Sequence, residues 1–190
     1  MLDNGTRHPN LVLLKLAGFF HDNGIQFELI LDPKADTSHY TKIYMSRVFT
    51  YTELPELYIR AKGTSEERKF HCGGTGFYAN EANVMEYRKM REDDMNRLEN
   101  DEFLNSLRNF HGGKEYGINM ARQMPYYHLY DSFVNQQVEK GFKREKYKDY
   151  QKYSIGFLTR GCVRHCPFCV NKLENHILPY SKLQCFLDEI

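Results

Sequence analysis

The stretch Pro9 to Asn23, PNLVLLKLAGFFHDN, constrains the fold of this chain more than any other. Pro9 suits the first turn of a helix, and Gly24 suits the left-handed residue that stops one. The predicted helix is apolar nearly all round rather than along one stripe, so it has to be covered on several sides. A helix pressed on a sheet, with other elements beside it, meets that demand. Strand patterns stand on either side of it. Phe27 to Leu31 (FELIL) is a short apolar run, and Lys42 to Thr50 (KIYMSRVFT) is rich in β-branched and aromatic residues. Met1 to Asp3 reads as the stub of an opening strand, and Phe70 to Phe77 (FHCGGTGF) as a strand end passing into a glycine turn. Strand and helix in alternation predict an α/β unit with a parallel sheet over residues 1–78.

Residues 79–150 differ in character and read as a charged helical segment and linker. Glu86 to Glu102 mixes both signs of charge densely, the pattern of a helix with a solvated face. A second helix is predicted over about 127–139, and Lys140 to Tyr150, polar and basic, is read as a linker. The aromatic and basic stretch Lys143 to Tyr153 has the residue types that stack on RNA bases. Its reading here is a solvated linker whose tyrosines pack on neighbours, and nucleic acid is not an expected partner. A formal charge of +1 gives no global field toward nucleic acid or a membrane. No apolar run reaches the roughly 20 residues that span a bilayer, and the first residues lack the apolar core of a signal peptide. The expected compartment is the cytoplasm. Cysteines stay reduced there, which favours metal binding or catalysis over disulfides.

Residues 151–190 return to an α/β pattern. Tyr153 to Leu158 (YSIGFL) is predicted as a short buried strand. Ser181-Lys-Leu-Gln184 has the form of a capping box, with Tyr180 and Cys185 placed as a hydrophobic staple, and predicts a helix with Leu183, Phe186, Leu187 and Ile190 on its apolar face. Between the two lies Cys162-Val-Arg-His-Cys166-Pro-Phe-Cys169. Three thiols on one short loop can converge on one point, and soft sulfur ligands select iron–sulfur clusters, zinc or cuprous ions. A four-iron cluster on three cysteines keeps one iron open, whereas electron-transfer clusters normally have four protein ligands. Zinc is the alternative. It would need a fourth ligand, for which Cys185, His165, His176 and Cys72 are available. Cys185 is read instead as a buried structural thiol.

The run Gly156-Phe-Leu-Thr-Arg-Gly-Cys162-Val-Arg-His-Cys166-Pro-Phe-Cys169 closely resembles the cluster loop of the radical S-adenosylmethionine (SAM) superfamily, including the aromatic, Phe168, just before the last cysteine. The resemblance implies that Cys162, Cys166 and Cys169 bind a [4Fe–4S] cluster. It implies that the open iron chelates SAM, with Phe168 against the adenine side. It further implies reductive cleavage of SAM to a 5′-deoxyadenosyl radical, with electrons from a flavodoxin- or ferredoxin-like donor and a substrate not specified by the motif. Arg160, Arg164 and His165 would bring positive charge near an anionic cluster.

Residues 1–78 resemble the Rossmann-like domain, related to cobalamin-binding domains, that precedes the radical barrel in many members. The resemblance makes Gly73, Gly74, Thr75 and Gly76 the positions where backbone could approach a ligand. The cobalamin signature D-x-H-x-x-G is not matched around Asp3, so cobalamin is not an expected cofactor. The methylthiotransferase branch carries three cysteines in its front domain, and only Cys72 is present here. Asp3, His8 and His71 are read as caps or surface residues. The expected architecture is α/β: a Rossmann-like parallel-sheet domain (1–78), a helical and linker segment (79–150), and the first βα unit of a radical SAM barrel (151–190). The family's Gly-Gly-Glu segment has no counterpart after the cysteine loop. The chain is therefore expected to be an incomplete member with little radical turnover of its own. The other reading is a non-catalytic Rossmann-like binding module with a zinc-stapled cysteine tail.

Overall fold

In strand β1, Ile43–Ser46, successive side chains point to opposite faces, and both faces are buried. Ile43 and Met45 join Leu2, Ile30 and Leu57 in one apolar cluster. Tyr44 joins Met1, Leu13, Leu14, Phe20, Tyr130, Val134 and others in a second cluster. A strand covered on both sides is the pattern of a parallel sheet, and β1 runs parallel to β2, Phe70–Gly73, with Ile43 opposite Phe70 and Ser46 opposite Gly73. Helix α2, Glu56–Ala61, and a 3₁₀ turn, Ser65–Lys69, lie between the two strands in sequence, as a parallel connection requires. Single parallel bridges tie Leu2 to Ile30 on one side and to Met45 on the other. The pairing therefore runs Ile30, Leu2, β1, β2 across the chain.

The computed structural model describes residues 1–3, 8–49, 51–74, 76, 119–164 and 176–187. Within that set the protein is a mixed α/β structure, and no described helix is long and apolar enough to cross a membrane. The charged stretch 86–102 lies outside the described residues.

Helix α1, Leu11–Asp22, starts two residues later than Pro9 suggests. The side chain of Asn10 caps it, with Oδ1 accepting the N–H groups of Val12 (3.1 Å) and Leu13 (3.3 Å). Gly24, at φ +67°, turns the chain out of the helix as expected. One flank of α1 meets the segment before Tyr126, whose N–H donates to Leu14 O at 2.8 Å. At Gly18 that approach is so close that a Cβ would collide with the carbonyl oxygen of Met124. Alanine in a helix is ordinarily favoured over glycine by about 1 kcal/mol. Here the clash is with backbone, and overpacking of that kind costs roughly 1–3 kcal/mol. Gly18→Ala is thus expected to lower the urea midpoint, and a raised midpoint would show that the flanking segment yields freely.

The predicted helix near 127–139 is present as a 3₁₀ turn, Tyr127–Tyr130, followed by α3, Asp131–Glu139. The stretch read as a linker before Tyr150 is different. It forms a 3₁₀ turn, Arg144–Tyr147, and the short helix α4, Lys148–Gln151. Tyr150 is buried, with its ring 5.0 Å from that of Tyr130 and 5.7 Å from that of Phe133. The basic side chains stay outside while the tyrosines close the core over α3, so polarity alone misassigned the segment.

Candidate metal centre at the cysteine loop

Beyond Tyr150 the chain departs from the predicted strand and helix. Residues 153–157 form no strand, and Tyr153, Phe157 and Leu158 are about half exposed. The reason is local. The Ile155 N–H, which a sheet would use, donates to the hydroxyl of Tyr127 at 2.9 Å, and that hydroxyl donates on to Phe186 O. Gly156 lies flat against the ring of Phe186, where any Cβ would enter the ring. A two-residue strand β3, Thr159–Arg160, forms instead and pairs antiparallel with β4, Leu178–Pro179. The capping box at Ser181 does not form either. Ser181 is buried, its Oγ has no hydrogen-bond partner among the described residues, and a 3₁₀ turn, Leu183–Cys185, follows without a side-chain cap. The N–H of Tyr180 is tied to Leu158 O at 2.8 Å, which commits this stretch to the β3–β4 pair.

The pair closes the base of the loop that carries the cysteines. Gly161 begins the loop at φ +98°, and a Cβ on it would run into the carbonyl oxygen of His176 across the base. Only glycine satisfies both conditions. Cys162 follows, half-buried, and its Sγ accepts the N–H of Arg164 at 3.4 Å. Such an N–H···S contact suits a thiolate ligand, since hydrogen bonds to sulfur tune metal-bound thiolates. Cys166, Phe168 and Cys169, with His165, lie outside the described residues. Among the described residues no three metal-ligating side chains form a group.

Two cations stand out among the described residues. The Arg160 guanidinium lies 4.5 Å from the ring centre of Tyr180 and 5.5 Å from that of Phe157. Lys15, on α1, is only 3% exposed, and its Nζ donates to Met120 O at 2.5 Å. Burial pushes the Lys15 amine below the usual lysine value, Cys185 opposes the shift, and Arg160 adds to it. The sequence held a signal for Lys15: it is the single charged residue between Leu11 and Phe20 of an otherwise apolar helix.

The glycine turn has a different neighbour from the one expected. Gly74, at φ +101°, approaches Arg47 so closely that a Cβ would strike Arg47 O. The Arg47 N–H donates to Gly73 O at 2.9 Å, the Gly76 N–H to Arg47 O at 2.8 Å, and Arg47 Nη1 to Gly76 O at 3.2 Å. Gly73, Gly74 and Gly76 thus fold onto the backbone that leaves β1, while Thr75 lies outside the described residues. At the same sheet edge Asp3 is 5% exposed, and its Oδ2 accepts the hydroxyl proton of Tyr130 at 2.5 Å. That hydroxyl also accepts the Asn10 N–H at 3.1 Å, and Asn10 Nδ2 donates to Ser46 O at 3.3 Å. Tyr130 was not among the residues singled out from the sequence; its partner lies 127 positions away. His8 is exposed and pairs with Asp149, His71 stacks on Tyr44, and His176 is exposed. Cys72 packs beside the Ile43–Met45 cluster.

No family model, no curated protein and no solved structure matches this chain.

Proposed function

We propose that the cysteine loop binds a [4Fe–4S] cluster through Cys162, Cys166 and Cys169, and that the chain is a radical SAM protein whose front α/β unit is Rossmann-like. The observation that carries this reading is the cysteine spacing, with Phe168 before the last thiol. The described part of the loop fits such a group: a half-buried thiol accepts a backbone N–H, and a β3–β4 clasp with an obligatory glycine holds its base. A cluster on three thiolates would supply an open iron for SAM and the electron that cleaves its sulfonium. Arg160 and Arg164 provide positive charge beside the thiolates, and the clasp fixes where the first of them stands. The reading includes a flavodoxin- or ferredoxin-like electron donor.

The order Ile30, Leu2, β1, β2 supports the Rossmann-like reading. In chain order it runs second, first, third, fourth, as in doubly wound sheets whose crevice opens between the first and third strands. Asp3 and Ser46 stand just past the paired positions there.

Anaerobic reconstitution with iron and sulfide tests the proposal. The expected result is about four irons and four sulfides per chain. A reduced paramagnetic signal that changes on adding SAM is expected with it, and both should be lost in Cys162→Ser. Stoichiometric zinc in anaerobically purified protein, with no cluster after reconstitution, would sink it in favour of a zinc-stapled binding module.

A further inference from the structure

The two legs of the β3–β4 hairpin, which carries the cysteine loop, are joined at one atom outside it. Tyr127 Oη accepts the Ile155 N–H at 2.9 Å, just before β3, and donates to Phe186 O at 2.5 Å, beyond β4. Phe186 is buried, and its ring lies against Gly156 on the opposite leg. Tyr127 offers its hydroxyl from a firm base. Its ring packs against the apolar cluster that includes Leu14, Tyr44 and Val134. The 3₁₀ turn that begins with Tyr127 ends at Tyr130, which is 1% exposed and whose hydroxyl is bonded to Asp3 and Asn10. One turn therefore holds the sheet edge of the front unit at one end and the root of the cysteine loop at the other. A phenyl ring would fill the same space as the tyrosine ring, so the hydroxyl contributes these polar contacts and little packing.

We propose that Tyr127 is a positioning residue for the cysteine loop: its hydroxyl fixes both legs of the hairpin to the front unit and so sets where Cys162 stands. It acts through the legs and the β3–β4 clasp, not on a thiol directly. Groups that support metal ligands from behind govern how firmly those ligands keep their geometry. That Tyr127 positions a metal centre rests on the [4Fe–4S] reading above; that it positions the loop does not. Tyr127→Phe keeps the ring and takes this partner from the Ile155 N–H and from Phe186 O. Two hydrogen bonds of ordinary net strength correspond to roughly a tenfold or larger change in a local opening equilibrium.

Amide hydrogen exchange on the full chain without metal is the first arm of the test. In Tyr127→Phe, peptides covering 153–160 and 178–187 are expected to exchange roughly tenfold faster or more, while the peptide covering β1 keeps its wild-type rate. Val134→Ala is the control for a merely structural effect. Val134 is fully buried in the same core, so its truncation lowers global stability but leaves the Tyr127 hydroxyl in place. Its hairpin peptides should exchange as in the wild type. The second arm is anaerobic reconstitution with iron and sulfide. The reduced paramagnetic signal of Tyr127→Phe is expected at shifted g values, with iron lost to a chelator several-fold faster, and Val134→Ala should give the wild-type signal. Unchanged hairpin exchange in Tyr127→Phe, or the same hairpin change in Val134→Ala, overturns the proposal. Faster hairpin exchange with a wild-type signal overturns it as well, because the hydroxyl would then hold the legs without placing the thiols. A wild-type chain that takes up no cluster defeats the [4Fe–4S] reading alone, and the exchange arm still decides whether Tyr127 holds the loop.

Discussion

Tyr130→Phe is expected to destabilise the protein by about 2–3 kcal/mol, a large share of the stability of an ordinary domain. The Tyr130 side chain is among the largest that are fully buried, and its hydroxyl serves two partners at once. It donates to Asp3 Oδ2 and accepts the N–H of Asn10, the residue that caps α1. Removing one oxygen therefore takes a short donor from a buried carboxylate and an acceptor from a buried N–H. Leaving buried polar groups without those contacts costs far more than the ring packing lost, which is close to nothing. Burial and then the Asp3 charge push the tyrosine hydroxyl upward, so it stays protonated and remains a donor at any working pH. Urea unfolding of a double-mutant cycle with Asp3→Asn checks the cause. The cost of Tyr130→Phe should shrink clearly in the Asp3→Asn background, because an amide is cheaper to leave short of a donor. An unchanged cost would place the effect on packing instead.

The same contact shows which parts of the fold could be read from sequence. The continuous apolar run Ile43, Tyr44 and Met45 and the helix that is apolar nearly all round announced a parallel α/β unit, because burial is written into residue type at short range. The Gly24 stop and the Gly73-Gly74 turn were legible for a related reason, since positive φ restricts residue choice. Tyr130 and Asp3 were not, because nothing local to either residue specifies a partner 127 positions away. Tyr153 to Leu158 failed in the opposite direction. Its β propensity is real, but the N–H of Ile155 is taken by Tyr127 and the backbone at Gly156 is pinned under Phe186. At the loop, the cysteines and their spacing were plain in the sequence. The β3–β4 clasp and the stacked state of Arg160 were not, because two-residue strands and aromatic clamps leave no periodic trace.

Gly161→Ala is expected to abolish most metal loading while leaving global stability nearly unchanged. Left-handed backbone costs an L-residue roughly 1–2 kcal/mol. At Gly161 the added Cβ also meets His176 O, a backbone atom that can retreat only if β3 parts from β4. That pair is two residues long and exposed, so its hydrogen bonds contribute on the order of 1–2 kcal/mol. Strain plus clash exceeds what the pair contributes, and the clasp should open. Neither β3 nor β4 belongs to either apolar cluster, so the urea midpoint is expected to move little. Gly63→Ala is the control: it has φ +79° but open space around it, and so carries the backbone strain without a collision. Iron and sulfide content after anaerobic reconstitution is the readout. At least a tenfold weaker hold on the metal is expected in Gly161→Ala, of the order seen when the support around a metal ligand is lost, with wild-type loading in Gly63→Ala. Normal loading in Gly161→Ala would mean that the three thiols find their geometry without the clasp, and that the sequence 162–169 is sufficient by itself.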